Sequence, residues 1–117
     1  MGVPHTVIFT DDASEQIASK YGREIENHKV FPRKTNVNFV KIINKDNIEV
    51  YTWERGCGFT LGCGTGMTAS VIVANLLGNV NNIVNVKCPG GEVKIDISDK
   101  IYMIGSAEKI FEGYIKL

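Results

Sequence analysis

Arg55-Gly56-Cys57-Gly58-Phe59-Thr60-Leu61-Gly62-Cys63-Gly64-Thr65-Gly66 decides how the chain is read, because it packs five glycines and two cysteines into one short stretch. So much glycine is too flexible for a regular element, and the stretch is too long for a simple turn, so a loop is expected. The residues after it change character. Met67, Ala69, Val71, Ile72, Val73, Ala74, Leu76 and Leu77 make the segment small or apolar at most positions. This predicts a helix over 65–77, capped by Thr65, ended by Gly78 and buried on every face.

Outward from that helix, both flanks read mostly as strands. Upstream, 36–43 and 48–53 are β-rich with partial alternation, and Asn44-Lys45-Asp46-Asn47 supplies the turn of a hairpin. Earlier still, Val7-Ile8-Phe9 is a strand stopped by Asp11-Asp12, which offers an N-cap. Ile17, Tyr21 and Ile25 then recur at the spacing of one buried stripe of a helix within 13–28, and Pro32 ends any helix there. Downstream, 83–88, 93–97, 101–104 and 110–117 read as strands, with turns at Pro89-Gly90-Gly91 and Ser98-Asp99-Lys100. The expected fold class is α+β: a curved, mostly antiparallel, β-barrel-like sheet wrapped around a central apolar helix.

Composition narrows the function classes. The 117 residues form one domain's worth of sequence, enough to bury a core without metal or disulfide staples. Thirteen Lys and Arg balance thirteen Asp and Glu, which leaves no basic excess for nucleic acid or an anionic membrane. No apolar run is long enough to span a bilayer, and the start lacks the plan of a signal peptide. Cys57, Cys63 and Cys88 form an odd set without a CxxC pair, which fits a reducing cytoplasm better than a secreted disulfide framework or a zinc knuckle. Met1-Gly2 runs directly into Val3-Pro4-His5 and the first strand, as a domain cut from a longer chain would.

Spacing removes two readings of the glycine loop. A phosphate-binding Walker loop needs a Gly-Lys pair, which the chain lacks, and the dinucleotide fingerprint started at Gly62 needs glycine where Met67 stands. What remains is a cysteine delivered to the N-terminus of an apolar helix. The backbone N–H groups of Gly64 and Thr65 would be unpaired there and suited to a carboxylate. The helix dipole at that end favours a thiolate at Cys63. A plainer alternative stays open, since a lone cysteine beside glycines is commonly a small buried apolar residue. Likewise Glu54 and Arg55 could be a solvated strand end, and His5 a satisfied histidine at the start of a strand.

The longer stretch Trp53-Glu54-Arg55-Gly56-Cys57-Gly58-Phe59-Thr60-Leu61-Gly62-Cys63-Gly64-Thr65-Gly66 resembles the second cysteine signature of diaminopimelate epimerases. In that signature a strand-borne Glu-Arg precedes a glycine loop ending in Cys-Gly-Thr/Ser-Gly. Pro4-His5, the segment 32–36, Pro89-Gly90-Gly91 and the closing Tyr102-Met103 through Phe111-Glu112-Gly113 agree as well, so the resemblance spans essentially the whole chain.

The resemblance implies that 1–117 is the C-terminal domain of such a protein, one half of a pseudo-symmetric fold, without its N-terminal domain. It implies inversion of the α-carbon of diaminopimelate without pyridoxal phosphate or metal, using one cysteine from each half. Carried over by position, Cys63 is the acid/base of this half, and Glu54 and His5 lie near the reacting centre. Gly64 and Thr65 bind the α-carboxylate, while Asn36 and Arg55 hold the distal head of the substrate. The half is expected to be inactive alone and homodimeric when complete. Two positions depart from the family's pattern: Val3 stands where asparagine is usual, and Cys57, read as a small filler like Cys88, where alanine is common. Val3 keeps open a related racemase with another amino-acid substrate. A carboxylate-binding module without proton transfer is the remaining alternative.

Overall fold

The computed structural model describes residues 4–105 and the backbone of Glu112–Tyr114. Its elements run β1 (His5–Phe9), α1 (Glu15–Glu26), β2 (Asn36–Asn44), β3 (Asn47–Glu54), β4 (Gly58–Thr60), α2 (Gly64–Leu76), β5 (Ile83–Cys88), β6 (Gly91–Asp96), β7 (Tyr102–Gly105) and β8 (Glu112–Tyr114). The departure at Val3 and the Phe111 of the closing segment lie outside the described residues, as do the ends of the strand expected over 110–117.

The strands form one eight-stranded mixed sheet in the order β1-β2-β3-β5-β6-β7-β8, with β4 paired on β3. Pairing is antiparallel except at β1–β2 and β3–β5. The far edge of β3 is shared: its last residues pair with β4 (Glu54 with Gly58), and its first pair with β5 (Asn47 with Asn85). Between those two partners the chain leaves the sheet, forms α2 and returns. The sheet curves but does not close, since β1 and β8 end it on opposite sides.

Two apolar clusters explain the partial alternation of β2. Val40, Ile48, Val50, Val84, Val86, Ile95 and Met103 pack with Met67, Val71 and Ala74 of α2 on the inner face. Val37 and Phe39 pack with Ala13 and Ala18, the latter on α1, on the other face. Residues 36–40 are therefore buried throughout, as expected of a strand covered on both sides.

Several local expectations change. Helix α1 starts later than Asp11-Asp12 would set it, because Ser14 is the N-cap and its hydroxyl accepts the Ile17 N–H at 3.2 Å. Its most buried stripe is Ala18, Gly22 and Glu26, whereas Tyr21 is exposed. Small residues win that stripe because a Cβ on Gly22 would come within 2.3 Å of Trp53 Cγ. Cys63, not Thr65, is the N-cap of α2. At the other end Gly78 and Asn79 donate to Asn75 and Ala74 with Gly78 at φ 80°, the left-handed cap expected of that glycine. Helix α2 is not buried all round. The sheet covers Gly66, Met67, Ser70, Val71 and Ala74, while Leu76 remains 79% exposed. Apolar composition alone could not tell which face the sheet would reach.

Candidate active site

Strand alternation collects the polar residues of interest at one end of the inner face. In β1, Val7 and Phe9 face the α2 cluster, so His5 belongs to that face, and it pairs with Asn36 of β2. In β2, Asn36 and Asn38 share parity with Val40. In β3, Thr52 and Glu54 share parity with Ile48 and Val50, and Thr60 of β4 pairs with Thr52. Above this end sits the N-terminus of α2 with Cys63.

The stretch expected to be one loop contains a strand. Cys57 N–H closes a turn onto the Glu54 carbonyl at 3.0 Å, Gly56 and Gly58 take φ of 77° and 91°, and β4 then folds back on β3. Glycine density hid β4 from a composition reading. Cys57 is exposed in that turn, so it fills no packing gap. The far end of the loop is braced by the β5–β6 turn, where Gly90 N–H donates to Leu61 carbonyl at 2.8 Å. Cys88 Sγ lies against Gly62, where a Cβ would meet it at 3.0 Å, consistent with a packing role for Cys88. Leu61, Gly62, Gly64, Met67, Cys88 and Gly90 line a mostly apolar cavity of about 260 Å³ beside the loop.

Cys63 is extended (φ −132°, ψ 111°) and its side chain makes no capping bond. Its sulfur is partly accessible and lies 3.5 Å from Thr65 Oγ1. The first intrahelical bond runs from Met67 N–H to the Cys63 carbonyl at 2.8 Å, so the N–H groups of Gly64, Thr65 and Gly66 precede it. All three cysteines are free thiols. Among the described residues no group of three or more His, Cys, Asp or Glu could hold a metal.

Of the remaining expected residues, a hydrogen bond ties Asn36 to Arg55, and electrostatics link His5 to Glu54. Asn36 Oδ1 accepts the Arg55 backbone N–H at 2.6 Å, and the Arg55 guanidinium donates to the Arg33 carbonyl at 3.0 Å. Burial lowers the His5 pKa from its ordinary value, and the nearby Glu54 charge partly restores it, which places both groups in one electrostatic neighbourhood.

Four residues that sequence reading passed over hold this arrangement. Thr35 donates to the Pro4 carbonyl at 3.1 Å and lies 2.9 Å from the Thr6 hydroxyl, anchoring the start of β1. Asn38 and Thr52 meet at 2.8 Å beneath α2. Glu26 accepts from Trp53 Nε1 and from Gly56 N–H at the mouth of the Glu54–Arg55 turn. Their one signal in the sequence is that polar residues interrupt otherwise apolar strand and helix stripes.

The fold is shared with a protein of the PhzF family. The crystal structure of the Bacillus anthracis phenazine biosynthesis protein superposes with a TM-score of 0.58 at 16% identity, covering 88% of this chain and 34% of that one. The diaminopimelate epimerase family matches residues 1–110. The diaminopimelate epimerase of Clostridium perfringens is 53% identical over 97% of this chain and 41% of its own length. That of Methanocaldococcus jannaschii is 44% identical over 97% of this chain and 41% of its own length. The chain belongs to the diaminopimelate epimerase family and spans about two-fifths of the length of these relatives. Among the described residues no helix is long and apolar enough to cross a membrane.

Proposed function

We propose that this chain is the C-terminal half of a cofactor-independent epimerase that interconverts LL- and meso-diaminopimelate for lysine and cell-wall precursor synthesis. The observation that carries the reading is the position of Cys63. Its uncapped thiol stands at the first turn of α2, on the inner face where His5 and Glu54 meet.

The Cys63 thiolate takes the α-proton from one face of the substrate, and a thiol from the N-terminal half delivers a proton to the opposite face. After one turnover the two sulfurs have exchanged protonation states, and the reverse reaction resets them. As the α-proton leaves, charge grows on the α-carboxylate. The amides of Gly64 and Thr65 stabilise that charge without reorganising. Glu54 holds the α-ammonium. Asn36 and Arg55 serve the distal amino-acid head, with the Asn36 oxygen already spent on the Arg55 backbone and its amide nitrogen left for a ligand.

On this reading the half is inactive alone, and the complete protein is a cytoplasmic homodimer. The test follows α-proton exchange of LL- and meso-diaminopimelate in heavy water by NMR. The complete protein exchanges both isomers, and Cys63→Ser lowers the rate by roughly 10²–10⁴-fold, the usual worth of a positioned acid/base. Turnover that survives Cys63→Ser, or that prefers another amino acid, overturns the reading.

A further inference from the structure

Asn38 is fully buried beneath the site, and every polar atom of its amide is engaged. Its Nδ2 lies 3.1 Å from the Thr6 carbonyl and 3.3 Å from His5 Nδ1, and its Oδ1 accepts from Thr52 Oγ1 at 2.8 Å. The identity of each amide atom follows from chemistry. A backbone carbonyl can only accept, so the side of Asn38 facing Thr6 is the NH₂. The nitrogen that serves Thr6 also faces His5, so His5 Nδ1 must be the acceptor of that contact. A neutral imidazole that accepts on one nitrogen carries its proton on the other.

The amide cannot move out of this position. Oδ1 is packed under the first turn of α2, where a Cβ on Gly66 would lie only 2.3 Å from it and 3.4 Å from Cys63 Sγ. Gly66 is therefore the residue that admits Asn38, and Asn38 touches both the histidine and the floor of the cysteine turn.

We infer that Asn38 is a positioning residue that fixes His5 in its Nε2–H form, so that His5 serves the site as a hydrogen-bond donor and not as a proton-accepting base. A protonated His5 would bring an N–H at Nδ1 against the Asn38 N–H, which disfavours the imidazolium. Burial of the ring acts in the same direction. The catalytic meaning of this assignment rests on the epimerase reading; the tautomer itself does not.

The experiment records imidazole ¹⁵N shifts of the complete protein labelled at histidine, with His5→Gln used for assignment. A bare Nδ1 and a protonated Nε2 are expected in the wild type. Asn38→Asp, which presents only acceptors, moves the proton to Nδ1 and lowers kcat by roughly tenfold or more. Thr52→Val, which leaves the Nδ2 contacts in place, keeps the wild-type tautomer. A proton on Nδ1 in the wild type, or an unchanged tautomer in Asn38→Asp, overturns the inference, and the wild-type measurement needs only the His5→Gln assignment and not the Asn38 variant. If the tautomer behaves as expected but no α-proton of diaminopimelate exchanges, the epimerase reading fails and the assignment of Asn38 stands. If exchange proceeds with the wild-type proton on Nδ1, the reverse holds.

Discussion

The carboxylate of Glu26 bridges the last turn of α1 to the strand that carries Glu54: one oxygen accepts from the Trp53 indole at 2.9 Å, the other from Gly56 N–H at 3.0 Å. Only 7% of the residue is exposed, so both bonds are largely shielded from water. In Glu26→Gln the amide NH₂ must face one of two donors. The expected cost is about 1.5–3 kcal/mol, the range for hydrogen bonds to a charged group. Urea unfolding measures it, and because Trp53 is the chain's single tryptophan its emission reports the same contact.

Acid should weaken the fold through two groups acting in one direction. The Trp53 hydrogen bond foremost, then the Gly56 N–H and the charges of Lys34 and Arg23, hold the Glu26 pKa below its ordinary value against the opposing effect of burial. Its contribution is complete above the unfolded pKa of about 4.3 and disappears as pH falls through the folded value. The His5 pKa is also lowered, so the unfolded chain takes that proton first. Stability therefore starts to fall below about pH 6.5 and keeps falling until the folded ring is protonated too. Unfolding midpoints between pH 8 and 3 should show both stages, the upper absent in His5→Gln and the lower in Glu26→Gln.

Gly66→Ala sets two effects against each other. Alanine raises helix propensity by about 1 kcal/mol over glycine. Its Cβ would also come within 2.3 Å of Asn38 Oδ1. Asn38 is held by three partners on β1 and β3 and cannot yield, so overpacking of about 1–3 kcal/mol should win. Thermal unfolding should show net destabilisation, with Asn38→Ala restoring part of it in the double variant.

Thr60 carries a buried hydroxyl that has no hydrogen-bond partner among the described residues, on the same inner face as Thr52. Thr60→Val replaces that hydroxyl with a methyl group of similar shape. It is expected to leave stability unchanged or raise it by up to about 1–3 kcal/mol, the penalty such an orphan carries. A clear loss of stability by calorimetry would show that the hydroxyl has a partner in solution.

The chain's sequence discloses strands more readily than its polar anchors. Val84, Val86, Val93 and Ile95 alternate on a meander with one inward face, so periodicity reports them directly. In β2 both faces are covered, and alternation fails where burial is greatest. The Cys63 loop, Glu54 and Arg55 were legible because chemistry-bearing residue types stand at unusual spacing beside glycine. Glu26, Thr35, Asn38 and Thr52 carry no such mark. Each acts through a partner 14 or more positions away, which no local pattern encodes. The cap of α2 was misread because a threonine is a better N-cap on propensity, and the glycine turn placed the cysteine there instead.

The parallel pairing of β1 with β2 brings His5 beside Asn36 and under Asn38, across a chain separation of 33 for the side-chain contact. Closing a segment of that size costs entropy before any contact rewards it, whereas the β5–β6–β7 meander closes through short turns. Fraying of the first strand would therefore unseat the histidine while the meander stayed paired. Amide hydrogen exchange should find β1 opening at lower free energy than β5 and β6, which makes the end of the sheet that carries His5 the more easily lost part of the molecule.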